Sequence, residues 1–198
     1  MFIVFEGLDG CGKTTQLQLL KYNLEKNGYK NVKTFREPGS TELSEKIRDI
    51  LLNFDLTDIQ RMFLFLTARN SLVNEEIKPA VESNEIVLCD RYTSSTLAYQ
   101  GYGKNVTDIG VIHRLNNLAC ENVHPDLTIF LDVPVEDCKK RQEMSDKMEK
   151  SSVDVYEKIY NGYKQLSKNN NWVVVDGTKT VEEIAEEIFN IVKSRIKW

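Results

Sequence analysis

Five short apolar runs punctuate the chain, at residues 2–5, 32–35, 85–89, 127–131 and 172–175, each bounded by turn-forming or charged positions. Their length and their content of Val, Ile, Leu and Phe predict buried strands. Between the runs the apolar positions change period. Leu17, Leu20 and Leu24 make one helical stripe, Leu43, Ile47, Ile50 and Leu51 a second, and Tyr156, Ile159, Tyr160 and Tyr163 a third. Thr57-x-x-Gln60 and Thr180-x-x-Glu183 have capping-box spacing, and the second feeds Ile184, Ile188 and Ile191.

Strands that alternate with helices imply βαβ crossovers and a mainly parallel sheet covered on both faces. Ligands of such sheets sit beyond the carboxyl ends of the strands. Chemistry is therefore sought just after each run. The polar, charged stretch 142–152 between two helical patterns predicts a mobile loop.

Composition narrows the class. A chain of 198 residues predicts one domain, and 41% hydrophobic with 28% charged residues excludes collagen-like and generally disordered readings. No apolar run approaches the roughly 18 residues that span a bilayer, and the apolar run after Met1 meets Glu6 too early for a secretory leader. The expectation is a soluble, cytoplasmic protein that does not bind membranes. A net charge of −4 argues against gripping a nucleic-acid backbone. Cys11, Cys89, Cys120 and Cys138 are scattered without a C-x-x-C pair, which favours reduced thiols over a disulfide framework or zinc cluster.

Immediately after the first run stands Gly7-Leu8-Asp9-Gly10-Cys11-Gly12-Lys13-Thr14, a complete G-x-x-x-x-G-K-[ST] ahead of a helical stripe. In that context the motif is a phosphate cradle. Backbone N–H groups wrap a polyphosphate, the helix N-terminus adds its positive end, Lys13 reaches the β- and γ-phosphates, and the Thr14 hydroxyl suits Mg²⁺. The expected fold is thus an α/β P-loop NTPase with a five-stranded parallel sheet flanked by helices. After the third run, Asp90 is placed to hold Mg²⁺ through water and Arg91 to grip a second phosphate.

Three further segments carry a resemblance. Arg36-Glu37-Pro38-Gly39-Ser40-Thr41, the run from Asp90-Arg91-Tyr92 through Ala98-Tyr99-Gln100-Gly101, and Pro125-Asp126 through Asp132-Val133-Pro134 join the phosphate loop in one chain. In that combination the sequence resembles the bacterial thymidylate kinase family nearly end to end. The resemblance adds a short lid near 140–152 to the expected fold and implies transfer of the ATP γ-phosphoryl group to dTMP, giving dTDP and ADP. Another nucleoside monophosphate or deoxynucleoside kinase on the same scaffold is the alternative reading.

The resemblance also assigns roles. Gly7, Leu8, Asp9, Gly10, Cys11, Gly12, Lys13, Thr14 and Thr15 fall on the ATP loop, and Arg141 matches an arginine beside the ATP base. In Leu64-Phe65-Leu66-Thr67-Ala68-Arg69, Phe65 is expected to stack on thymine and Arg69 to reach the base edge. From pattern alone Phe65 reads equally as core. Thr96 and Gln100 match residues on the rest of the pyrimidine edge, and Tyr99 would lie against the sugar and disfavour a 2′-hydroxyl. Arg36, Arg48 and Arg91 fall where the family gathers charge around the acceptor phosphate, although Arg48 also reads as a solvent-facing helix residue. Asp9 resembles the acid that touches the acceptor's 3′-hydroxyl.

Catalysis is expected from Lys13, Arg91, Asp9 and a lid cation. The family's lid often carries D-R-x-E, whereas this chain has Asp146-Lys147-Met148-Glu149, so Lys147 or Arg141 must serve. Serine 40 replaces a usual glycine and Lys104 a common arginine. His113 and His124 read as structural, and family likeness further implies a homodimer through helix faces, with 59–66 apolar enough to permit one.

Overall fold

The computed structural model describes residues 1–143, 152–168 and 171–196. The apolar runs form five parallel strands, β1 (Phe2–Glu6), β2 (Val32–Arg36), β3 (Ile86–Asp90), β4 (Leu127–Asp132) and β5 (Trp172–Asp176), ordered β2-β3-β1-β4-β5. Alternation along β1 explains how one strand feeds both faces. Ile3 and Phe5 point into a core shared with Leu17, Leu20, Leu24 and Ile188, while Phe2 and Val4 point into another with Leu72, Val73, Ile77 and Tyr92. The edge strands depart from the expectation of burial. Only Val32 of β2 and Val175 of β5 are buried, because each of these strands has a neighbour on one side alone.

The helices are α1 (Lys13–Lys26), α2 (Glu42–Asn53), α3 (Asp58–Leu72), α4 (Lys78–Glu82), α5 (Thr93–Thr96), α6 (Ile109–Ala119), α7 (Val135–Glu143), α8 (Val153–Leu166) and α9 (Val181–Lys193). Both capping boxes form, with Thr57 and Gln60 closing the start of α3 and Thr180 and Glu183 that of α9. The α2 stripe is narrower than its pattern suggests. Ile47 and Leu51 are buried, whereas Leu43 and Ile50 are exposed. Wider π-helical turns occupy Val73–Ile77 and Leu97–Gly103. The first falls just before Pro79, which has no N–H to continue an α-helical ladder.

At the start of the stretch expected as a loop, residues 142 and 143 instead continue α7, which runs to Glu143. Residues 144–151, Lys147 among them, lie outside the described residues. Among the described residues no helix is long and apolar enough to cross a membrane. Strand ends bring Glu6, Arg36 and Asp90 to one edge of the sheet. Arg36 stands opposite Asp90 across β2 and β3, and Asp90 opposite Phe5 across β3 and β1.

Candidate active site

The loop after β1 turns back on itself before α1. Gly7 lies at φ 143°, where a Cβ would come within 2.9 Å of the Leu131 carbonyl oxygen, so no side chain fits. Gly12 caps α1 in the left-handed region at φ 100°. Lys13 is buried, and its ammonium donates to the carbonyls of Gly7 at 3.2 Å and Leu8 at 2.8 Å. The charge is thereby held inside the loop it must serve. The Leu8 and Cys11 side chains belong to the core, leaving Asp9, Gly10, Gly12, Lys13, Thr14 and Thr15 to face the adjoining cavity.

That cavity, about 840 Å³, runs along the carboxyl ends of β1, β2 and β3. Thr14 Oγ1 donates to Asp90 Oδ2 at 2.5 Å, so the two residues expected near a metal meet at its floor. Both are hard oxygen donors, and a hydroxyl plus a carboxylate suit a cation that keeps most of its waters and takes its remaining ligands from phosphates. Among the described residues there is no cluster of three or more acidic, His or Cys side chains that would hold a metal without such phosphates.

Arg91 sits in the left-handed region at φ 72° and is nearly enclosed. Its Nη2 donates to Asp9 Oδ1 at 2.6 Å and to Tyr99 Oη at 3.0 Å. Burial alone would raise the Asp9 carboxyl, but Arg91 and then Lys13 hold it well below the usual carboxylate range. Tyr99 also donates to Asp9 Oδ2 at 2.9 Å. Arg36 and Arg48 line the same cavity. Arg36 forks onto Glu45 at 3.0 and 2.9 Å, and Arg48 donates to the Pro38 carbonyl at 3.0 Å.

Phe65 packs against Ile47, Leu51 and Ala68 and also lines the cavity. Arg69, 2% exposed, has its five N–H donors committed within the protein. Nε and Nη2 hold Glu37, Nη2 also reaches the Tyr92 carbonyl, and Nη1 donates to Thr96 Oγ1 at 3.0 Å and Asn116 Oδ1 at 2.6 Å. Burial pushes the Glu37 carboxyl up and Arg69 opposes it from 2.6 Å away. Gln100, 4% exposed, lines the cavity with no hydrogen bond to its side-chain amide among the described residues. On the opposite flank Arg141 donates to the Gly177 carbonyl at 3.0 Å and the Cys11 carbonyl at 3.4 Å.

One cavity thus joins a phosphate loop to an aromatic and amide-lined wall through three arginines. The family model described as Thymidylate kinase matches residues 5–188. The chain belongs to the thymidylate kinase family. It is 41% identical to the thymidylate kinase of Fervidobacterium nodosum over 96% of this chain and 98% of that one. Identity to the Thermosipho melanesiensis thymidylate kinase is also 41%, over 99% of each chain. In three dimensions it is similar to the crystal structure of thymidylate kinase from Ehrlichia chaffeensis, with TM-score 0.80, 32% identity and 98% of both chains covered.

Within this family site, sequence reasoning missed the supporting groups. Glu6, wholly buried, accepts from Tyr92 N, Ser95 N, Ser95 Oγ and Tyr163 Oη, and burial raises its carboxyl against the opposing pull of Arg91. Glu37, Glu45 and Asn116 fix the arginines. A charged residue ending an apolar strand was the available signal for Glu6; nothing in the helical pattern distinguishes Asn116. His113 and His124 are exposed and lie outside the cavity lining.

Proposed function

We propose that the chain transfers the γ-phosphoryl group of ATP to dTMP, giving dTDP and ADP for dTTP synthesis. The observation that carries this reading is the continuity of one cavity from Lys13 to Phe65, with Arg36, Arg48 and Arg91 between. A donor triphosphate on the loop and a pyrimidine monophosphate on the far wall would bring their phosphates together at those arginines.

The acceptor is a phosphate monoester whose second pKa near 6 leaves it largely dianionic and nucleophilic at neutral pH. No general base is needed, which fits histidines that stand clear of the cavity. The work left to the protein is to align two anions and spread the charge of the moving group. Lys13 supplies a cation at the donor phosphates. Arg91, Arg36 and Arg48 supply positive charge at the acceptor phosphate.

Mg²⁺ is the expected companion of ATP, with Thr14 binding it directly and Asp90 through water. When bound it neutralises charge on the donor phosphates.

Base choice follows from polarity. Arg69 Nη1 occupies the Thr96 oxygen, so the Thr96 hydroxyl hydrogen is free to donate, favouring a keto oxygen over an amino group. Gln100 offers an amide to the remaining edge, Phe65 a stacking face, and Tyr99 a ring against a 2′-deoxy sugar. Asp9, beside Tyr99 and Arg91, would accept from the 3′-hydroxyl. On the lid side, Arg141 and Lys147 are the cations for the transferring group, and comparing turnover of Arg141→Ala with Lys147→Ala decides between them.

Family likeness supports a homodimer through helix faces, for which Ile59 and Phe63 of α3 are exposed, and light scattering tests it. Four buried free cysteines suit a reducing cytoplasm. The test of activity is ADP release with Mg²⁺, ATP and a panel of dTMP, dUMP, dCMP, AMP, GMP and thymidine. Fastest release with dTMP is expected; preference for thymidine overturns the monophosphate assignment.

A further inference from the structure

Tyr163 has no part in the nucleotide contacts proposed above and does not line the cavity, yet its side chain is fully buried where Arg91 is held. It reaches that point from α8, which packs against the turn Leu97–Gly103. Its ring stacks on Phe130 at 5.6 Å between centroids and 20° between planes, and meets Tyr99 edge-on at 6.4 Å. The hydroxyl is therefore fixed by packing before any hydrogen bond is counted.

Three partners surround the hydroxyl oxygen: Arg91 Nη1 at 3.0 Å, Glu6 Oε2 at 3.0 Å and Ser95 Oγ at 2.9 Å. A phenol has one hydrogen. Given to the Glu6 carboxylate, it leaves the oxygen lone pairs turned toward the Arg91 guanidinium. Ser95 is the other acceptor of Nη1, at 2.9 Å, and it too donates to Glu6, at 2.6 Å. The inner end of Arg91 is thus held by two hydroxyls whose direction is set by one buried carboxylate. The Nη2 group faces Asp9 and Tyr99, and the Nε–H of Arg91 has no protein acceptor among the described residues.

We propose that Tyr163 is a positioning residue for phosphoryl transfer: its hydroxyl, oriented by Glu6, fixes the inner end of the Arg91 guanidinium so that Nε, the nitrogen left without a protein acceptor among the described residues, meets the acceptor phosphate. This rests on the reading of Arg91 as an acceptor-phosphate ligand. Glu6 supplies the buried negative charge that lets the cation sit there, and Tyr163 converts that charge into a fixed direction. The consequence is specific. Loss of the hydroxyl affects ligands that carry the phosphate and spares those that lack it.

Tyr163→Phe keeps the ring and its stacking and removes only the oxygen. In the full chain, dTMP affinity is expected to fall about tenfold or more, as for a lost hydrogen bond to a charged group. Inhibition by thymidine, which has the base and sugar but no phosphate, stays within about twofold, as does the KM for ATP. Equal weakening of dTMP and thymidine would assign Tyr163 to general packing and overturn the proposal, and so would a variant indistinguishable from wild type with dTMP. If Tyr163→Phe does not fold, Ser95→Ala removes the other acceptor of Nη1 and carries the same comparison. A wild-type enzyme that prefers another monophosphate contradicts the dTMP reading alone, because the ratio can then be measured with that acceptor and its nucleoside.

Discussion

The Thr14 hydroxyl donates to the Asp90 carboxylate across 2.5 Å, joining the first turn of α1 to the end of β3. This contact ties the phosphate loop to the strand that also delivers Arg91. If the pair holds Mg²⁺ as proposed, Asp90→Asn removes the anionic half of the site while keeping its shape. The Mg²⁺ concentration for half-maximal rate is expected to rise about tenfold or more, on the scale seen when outer-shell partners of a metal are removed. A titration of rate against Mg²⁺ at saturating ATP and dTMP checks this, and an unchanged midpoint would exclude Asp90 from the site.

Lys13 and Phe65 line the cavity from different elements, α1 and α3, so their losses are expected to separate in the kinetics. Lys13→Ala removes a cation that matters most as charge develops and is expected to lower kcat by at least about a hundredfold. Phe65→Ala removes a stacking face worth about 1–3 kcal/mol per base, raising the KM for dTMP about five- to a hundredfold with the KM for ATP unchanged. Initial rates with each substrate varied distinguish the two.

The Glu37–Arg69 pair predicts a stability effect in addition to any effect on activity. Both side chains are nearly inaccessible, with Arg69 Nη2 2.6 Å from Glu37 Oε2. Arg69→Ala leaves a buried carboxylate without its partner, which costs about 3–5 kcal/mol. Urea unfolding is expected to show that loss as a lower midpoint with an unchanged slope. A near-neutral result would mean that Glu37 discharges or reaches water when Arg69 is removed.

Asp9 adds a dependence on pH. Its carboxyl is lowered in the folded chain because Arg91 and Lys13 outweigh burial, so folded Asp9 holds its proton less tightly than unfolded Asp9. Its stabilising contribution is complete above the unfolded value near 4 and is lost as pH falls toward the depressed folded value. The difference in urea midpoint between wild type and Asp9→Asn is therefore expected to be constant from pH 7 to about 5 and to shrink below about 4. A difference that grows on acidification would contradict the assigned sign.

The strands and both capped helices were legible because period and capping spacing are local properties, as Thr57 with Gln60 and Thr180 with Glu183 show. The loop from Gly7 to Thr14 was legible for the same reason. What bound the arginines was not. Glu6 and Tyr163 are 157 positions apart, and in sequence the first reads as the end of a strand and the second as one more apolar tooth of a helical stripe. Leu43 and Ile50 carried the reverse error, since an apolar stripe shows which positions avoid water without showing whether this chain alone covers them. The motif singles out Arg69 but not the commitment of its donors to Glu37, Thr96 and Asn116, which required distant segments to meet.

The most direct measurement follows the terminal phosphoryl group itself. With γ-labelled ATP, Mg²⁺ and dTMP, the label is predicted to leave ATP and appear in dTDP as its β-phosphoryl group, with one ADP formed for each dTDP. Label released as inorganic phosphate, or transferred to thymidine in preference to dTMP, would contradict a cavity built to set two phosphates in line.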